Sequence, residues 1–287
     1  MTDIPKNHPR YESLLAREKI VSGVERGITS PQGLTAQGRG EAFDYLIGEK
    51  TTDSARHAEM VATALLLLAE KPVISVNGNT AALVPEELVQ LSELVGAKLE
   101  VNLFHRTPER VKKIADELKK YGATCVLGEN AEPLLNLSHE RSKVEREGIF
   151  AADVVFVPLE DGDRCQALTD LEKLVIAVDL NPLSRTAKTA QVSIVDNITR
   201  VVSNMIQMIP ELTLQSEDEL WEIIGEFDNK AALADAMEEM KEHLFEKQNE
   251  LLGTTPVEPT PEELEEMEER EEKRRKIMMR GADLMME

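Results

Sequence analysis

The chain of 287 residues is poor in aromatic side chains, with one Trp, three Tyr and six Phe. Its core must therefore rest on Leu, Val, Ile, Ala and Met. Only two cysteines are present, Cys125 and Cys165, which excludes a disulfide scaffold and a cysteine-rich zinc site. Cys125 lies in an apolar run and is expected to be buried; Cys165 follows an acidic loop and admits either placement. The longest apolar stretch, from Val61 to Ala69, is too short to span a bilayer, and no secretory leader is visible. These features predict a cytoplasmic protein with no membrane partner. Basic residues are scarce too: 33 Lys and Arg face 54 Asp and Glu, a formal charge of -21. That balance speaks against a nucleic-acid partner, because a phosphate backbone needs a broad basic face. It leaves room for a local basic pocket, and the acidic excess reads as solvated surface.

Several catalytic motifs are missing as well. The five histidines show no HxxxH or HExxH spacing, so a protein-held zinc is not expected. There is no G-x-S-x-G elbow and no Gly-Lys-Ser/Thr of a Walker loop. Gly38-Arg39-Gly40 starts like a dinucleotide fingerprint, but Phe43 stands at the third glycine position. The stretch from Gly33 to Gly40 is read as a flexible loop leading Arg39 into a short helix through Phe43, Leu46 and Ile47.

What is present is an alternation of short apolar runs with helical patterns. Helices are predicted over 9–26, with Pro9 as the first helical residue, and over 54–70. Runs at 72–76, 98–103, 124–127, 153–159, 174–180 and 192–195 read as strands, apolar on both faces. Between them Pro85 opens one helix, and Thr107 followed by Pro108 opens another that Gly122 stops. Helices follow Asn197 and cover about 217–227 and 230–251. This pattern predicts an α/β fold: a Rossmann-like, mostly parallel sheet covered by helices, with an N-terminal helical segment and a helical C-terminal region. The predicted organisation is one α/β domain over 1–252. It comprises N-terminal helices 1–70, a sheet core 71–210 and C-terminal helices 211–252. A Pro-rich linker and charged tail occupy 253–287.

Ligands of such sheets bind outside the carboxyl ends of the strands. There the sequence places Asn77-Gly78-Asn79, Asn102, His105-Arg106, the loop 160–164, Asp179-Leu180-Asn181 and Asp196-Asn197. Each is also ordinary turn chemistry; together they predict one ligand-binding rim. Asp179 suits ribose hydroxyls, or else a turn. Arg17, Arg39 and Arg185 suit phosphate oxygens, or else surface ion pairs. Asn197 opens a helix whose N-terminus favours anions. Asp161 and Asp163 suit Mg²⁺, or else an acidic turn. Arg106 and Arg141 sit in polar loops and suit a substrate phosphate.

A longer series of residues carries a family resemblance. It includes Ile4-Pro5-Lys6, His8-Pro9-Arg10-Tyr11, Arg17-Glu18-Lys19 and the run Gln37-Gly38-Arg39-Gly40-Glu41-Ala42-Phe43-Asp44-Tyr45. Ser75-Val76-Asn77-Gly78-Asn79, His139-Glu140-Arg141, the run from Val157 to Arg164, and Asp179-Leu180-Asn181-Pro182-Leu183-Ser184-Arg185 continue it. Over Ile4 to about Leu251 the chain resembles the archaeal 4-phosphopantoate–β-alanine ligases (phosphopantothenate synthetases) of coenzyme A biosynthesis. The resemblance implies an ATP-dependent amide ligase, a homodimer, acting through an acyl adenylate on 4-phosphopantoate and β-alanine. The products would be 4′-phosphopantothenate, AMP and diphosphate. It implies ATP contacts at Arg17, Arg39, Asp179, Leu180, Asn181, Arg185, Thr186, Asn197 and Ile198. Gln37 replaces a histidine of the family pattern and Thr186 a serine; neither change removes a charged group. The family pattern names no general base for the amine. Two other classes share the sheet type, an NAD(P)-dependent oxidoreductase and a non-catalytic nucleotide-binding module.

Overall fold

A computed structural model describes residues 4–8 and 10–254. The expectations for Pro9 and for the tail beyond Thr254 lie outside the described residues. Three helices come first: α1 (Tyr11–Glu25), α2 (Pro31–Ile47) and α3 (Asp53–Leu68). β1 (Val73–Val76), α4 (Gly78–Leu83), α5 (Pro85–Leu94), β2 (Lys98–Val101), α6 (Pro108–Lys120) and β3 (Val126–Leu127) follow. A small antiparallel pair, β4 (Glu132–Pro133) and β5 (Lys143–Val144), holds a 3₁₀ turn at Glu140–Ser142 between its strands. Then come β6 (Val154–Pro158), α7 (Gly162–Thr169), β7 (Leu174–Val178), α8 (Arg185–Thr189) and β8 (Val192–Ile194). α9 (Ile198–Leu212), α10 (Glu217–Gly225) and α11 (Asn229–Leu252) complete the order. Two compact units are distinguished, one ending at Ala236 and one beginning at Met237. The first holds the whole sheet; the second starts within α11 and is helical to Leu252. Among the described residues no helix is long and apolar enough to cross a membrane.

The main sheet is parallel throughout, in the order β3-β2-β1-β6-β7-β8. Counted along the chain this is 3-2-1-4-5-6, the doubly wound order of the Rossmann fold. The predicted α/β class and parallel sheet are therefore correct. The strand order reverses between β1 and β6, which opens a crevice at their carboxyl ends. One face of the sheet is apolar: Ile74, Val76, Leu99, Val101, Phe156, Ile176 and Val178 pack against α3, α5, α6 and α9. The other face mixes Val73, Val155, Val157 and Val175 with polar side chains. There Ser75 and Glu100 lie side by side in the register of β1 and β2. Two β-strand positions further on, Asn77 and Asn102 take the same face.

Several local readings change. The stretch Gly33–Gly40 is not a loop but the first half of α2, and Arg39 lies inside that helix. Glycine disfavours a helix by about 1 kcal/mol relative to alanine, yet here packing outweighs propensity. A Cβ on Gly33 would overlap Asn79 Oδ1 and Thr29 Cγ2, and one on Gly40 would lie 3.5 Å from Leu180 Cδ1. Helices α4, α7 and α8 stand where only turns were read, each opened by a side-chain cap from Asn77, Asp161 or Ser184. Cys125 is exposed rather than buried, because it precedes the short edge strand β3; Cys165 is buried in α7.

Candidate functional site

Asn77 ends β1 and organises the crevice. Its side-chain oxygen accepts from Asn79 N at 3.0 Å and Thr80 N at 3.1 Å, and its Nδ2 donates to Pro158 O at 2.8 Å. One side chain thus caps α4 and ties β1 to β6 across the switch point. Gly78 has to be glycine: a Cβ there would come within 2.5 Å of Ile28 O. Asn79 donates to Gly33 O at 3.0 Å and so holds α2 over the crevice.

The resulting cleft has a volume of about 280 Å³. Its lining includes Arg39 from α2, Asn79, Phe104-His105 after β2, Arg110 from α6, Arg141, and Glu160-Asp161 after β6. A smaller apolar slot of about 40 Å³ shares Ala36, Asn79 and Leu159 with it and adds Gly40, Leu180, Asn197 and Ile198. The two adjoin through these shared residues and together form the groove at the switch point. A larger crevice, of about 390 Å³, lies at the opposite edge around Lys98 and Cys125. It stands at the amino ends of β2 and β3, away from the rim where such sheets bind ligands. It also holds none of the buried polar atoms that lack partners.

Of those atoms, Arg110 Nε belongs to a residue lining the main cleft, Asn102 Oδ1 and Arg106 Nη1 lie on the segment after β2, and both ring nitrogens of His139 belong to a neighbouring hollow. Arg106 is tied by Nη2 to Gly128 O, and Arg110 by its terminal nitrogens to His105 O and Ile28 O. Burial lowers the pKa of both guanidiniums. An unpaired buried donor is costly, so such clusters mark ligand sites.

Arg141 is almost fully buried. Its Nη1 meets Glu160 at 2.7 Å and its Nε lies 2.9 Å from Asp161 Oδ2, without the alignment of a hydrogen bond. Glu160 also pairs with the fully buried Arg164, which reaches Ser75 Oγ at 3.1 Å. The loop carrying Arg141 is pinned from the sheet: Glu100 accepts from Glu145 N at 2.9 Å and Ile149 N at 2.6 Å. Burial pushes the Glu100 carboxyl up to about 7.

The predicted residues divide into groups. Arg39, Leu180, Asn197 and Ile198 line the groove, and Arg39 is close enough to Asp179 to oppose the upward pull of burial on its carboxyl. Asp179 also accepts from Asn181 N at 3.0 Å, a turn contact. Arg17 is engaged elsewhere, gripping Glu41 with Nε–Oε2 at 2.8 Å and Nη2–Oε1 at 2.5 Å. Arg185 pairs with Asp163 beside an open hollow that also includes His139. Thr186 donates its hydroxyl to Glu160 O at 3.1 Å. His139, Asp161 and Asp163 present ligand atoms within 4.8 Å of one another. Arg110 was not singled out from sequence, and Glu160 and Arg164 only as members of the rim loop 160–164. Arg110 carried a faint signal, since it sits three residues past the Thr107 cap and so beside the end of β2.

Fold and cleft together define the class: a doubly wound α/β protein with an arginine-bearing groove at its switch point. The chain belongs to the phosphopantothenate/pantothenate synthetase family, whose sequence profile matches residues 54–243. It is 59% identical over 244 residues to a 4-phosphopantoate–β-alanine ligase of Methanosarcina mazei, covering 85% of this chain and 96% of the relative. The namesake enzyme of Thermococcus kodakarensis is 53% identical over 246 residues, with 85% and 94% covered. That of Methanospirillum hungatei is 52% identical over 242 residues, with 84% and 98% covered.

Proposed function

We propose that this chain is a cytoplasmic, homodimeric, ATP-dependent amide ligase that condenses 4-phosphopantoate with β-alanine for coenzyme A biosynthesis. The observation that carries the reading is the convergence of Arg39, Arg110 and Arg141 on one groove of a chain whose formal charge is -21. Both of its proposed larger substrates are polyanions, and the relatives' names supply the substrate pair.

A carboxylate is a poor acyl donor, so a carboxylate oxygen of 4-phosphopantoate attacks the α-phosphorus of ATP and diphosphate leaves. The β-alanine amine then attacks the acyl carbon, the acyl–oxygen bond to AMP breaks, and the amine gives up a proton. The chain's task is to hold two anions together and aim them. The apolar slot of Leu180, Ile198 and Gly40 suits a flat base, with Asp179-Leu180-Asn181 near the ribose. Arg39 and the N-terminus of α9 at Asn197 suit the phosphates. Arg17, Arg185 and Thr186 complete the nucleotide contacts, the two arginines by exchanging Glu41 and Asp163 for phosphate. Arg106 and Arg141 suit the phosphate of 4-phosphopantoate, as Arg106 Nη1 lacks a partner. Asp161 and Asp163 would hold Mg²⁺ by exchanging their partners Arg141 and Arg185 for the ion, since with His139 they present ligand atoms within 4.8 Å of one another. When bound, the ion would offset phosphate charge.

The deciding experiment supplies ATP, Mg²⁺, 4-phosphopantoate and β-alanine. AMP, diphosphate and 4′-phosphopantothenate in equal amounts are expected. ADP instead of AMP would replace the adenylate by an acyl phosphate. ATP binding without turnover would leave a nucleotide-binding module.

A further inference from the structure

The apolar slot has two walls that come from distant parts of the chain. One is α2, through Gln37 and Gly40; the other is the start of α9, through Asn197 and Ile198. From Pro31 to Gly40, α2 has no buried residue, and its buried side chains are Glu41, Asp44 and Ile47. The slot-forming half of the helix is therefore tied at its start by Asn79 and otherwise held from its other half. There Asp44 is the anchor. Its Oδ2 accepts from Asn197 Nδ2 at 2.8 Å and its Oδ1 from Arg200 Nη2 at 2.5 Å. Among the described residues, the side-chain hydrogen bonds between α2 and the α9 end run to Asp44.

Arg200 reaches backwards as well as across. Its Nε donates to Asp196 Oδ1 at 2.8 Å, and that same oxygen accepts from Asn197 N at 2.6 Å. Asp196 is fully buried, and its second oxygen accepts from Thr51 Oγ1 at 2.6 Å. Asn197 Oδ1 meanwhile caps α9 through Thr199 N at 3.2 Å. The guanidinium thus bridges two buried carboxylates, one on each wall. A planar fork can do this, whereas a point charge on a flexible stem serves one carboxylate at a time.

We propose that Asp44 and Arg200 are positioning residues that set the spacing of α2 and α9, and thereby the fit of the purine nucleotide between them. The inference rests on the nucleotide reading of this groove. Neither residue lines the cleft or the slot, so both act through Gly40, Arg39 and Asn197.

The test compares the unaltered chain with Asp44→Asn and Arg200→Lys. ATP binding is measured by equilibrium dialysis with ATP alone, and Michaelis constants are measured for all three substrates. Arg200→Lys keeps the charge and protects the fold; Asp44→Asn keeps the shape and the contact to Asn197. Each folded variant is expected to bind ATP at least roughly tenfold more weakly, since small misplacements of a site are amplified. The Michaelis constants for 4-phosphopantoate and β-alanine at saturating ATP are expected to stay unchanged. Unaltered ATP affinity in folded Arg200→Lys would overturn the proposal. So would a parallel rise in all three constants with a fall in melting temperature, which marks a merely structural role. Failure of the unaltered chain to bind ATP would overturn the nucleotide reading itself, and the proposal with it.

Discussion

Gly33 and Asn79 meet with no room to spare. Asn79 Nδ2 donates to Gly33 O at 3.0 Å, and a Cβ on Gly33 would overlap Oδ1 of the same amide. This contact seats the N-terminal half of α2 on the switch point.

Gly33→Ala is therefore expected to destabilise the protein by about 1–3 kcal/mol through overpacking, and to raise the Michaelis constants for both anionic substrates. Gly38→Ala should do the reverse. Nothing lies within 4 Å of the Gly38 Cβ position and the residue is helical, so stabilisation by roughly 0.5–1 kcal/mol is expected. Denaturant unfolding of both variants checks this pair. A neutral Gly38→Ala would mean that the segment is not helical in solution.

Arg106→Ala is expected to raise the Michaelis constant for 4-phosphopantoate roughly tenfold to hundredfold, the scale of a lost charge-assisted contact. The constant for β-alanine should not move. Steady-state kinetics with each substrate varied in turn gives the answer. If the 4-phosphopantoate constant and the turnover both stay put, Arg106 has no part in holding the phosphate.

Glu59 should make stability depend on pH. It is fully buried beneath Asn204, and burial pushes its carboxyl up to about 8 from the ordinary 4.5. The folded state therefore holds a proton that the unfolded chain releases above about 4.5. This contribution is present in full below that pH and is lost as pH rises toward 8. Glu59→Gln should remove this dependence, and its advantage over the unaltered chain should grow across that window to on the order of a few kcal/mol. Melting curves from pH 5 to 8.5 test it; parallel curves for the two proteins would show an ordinary carboxyl.

Asp163→Asn is expected to raise the Mg²⁺ concentration needed for half-maximal turnover severalfold, because hard cations prefer charged oxygen ligands. It also releases Arg185 from its ion pair. Titrating Mg²⁺ at fixed ATP separates the effects, since freeing Arg185 changes ATP affinity at every Mg²⁺ concentration. An unchanged Mg²⁺ requirement removes Asp163 from the ion's coordination.

Much of this protein was legible in the sequence because it is locally encoded. Six apolar runs became the six strands of the parallel sheet. Thr107 caps α6 through Arg110 N at 3.2 Å, and Asn197 caps α9. Apolar periodicity, Pro at a helix start and a capping side chain act over a few residues, so they survive in one dimension. The polar strand ends were visible for the same reason, and so was the family.

Tertiary structure alone decided the rest. Strand order, and with it a switch point between β1 and β6, follows from pairing between segments some eighty residues apart, as when Val73 meets Val155. The glycines of α2 read as a loop because propensity is local, whereas Gly33 is required by the close approach of Asn79, a residue 46 positions away. Arg110 reaches Ile28 O across 82 residues, and Arg200 reaches Asp44 across 156. A buried charge needs a partner wherever the fold brings one, and nothing in the neighbouring sequence records which partner that is.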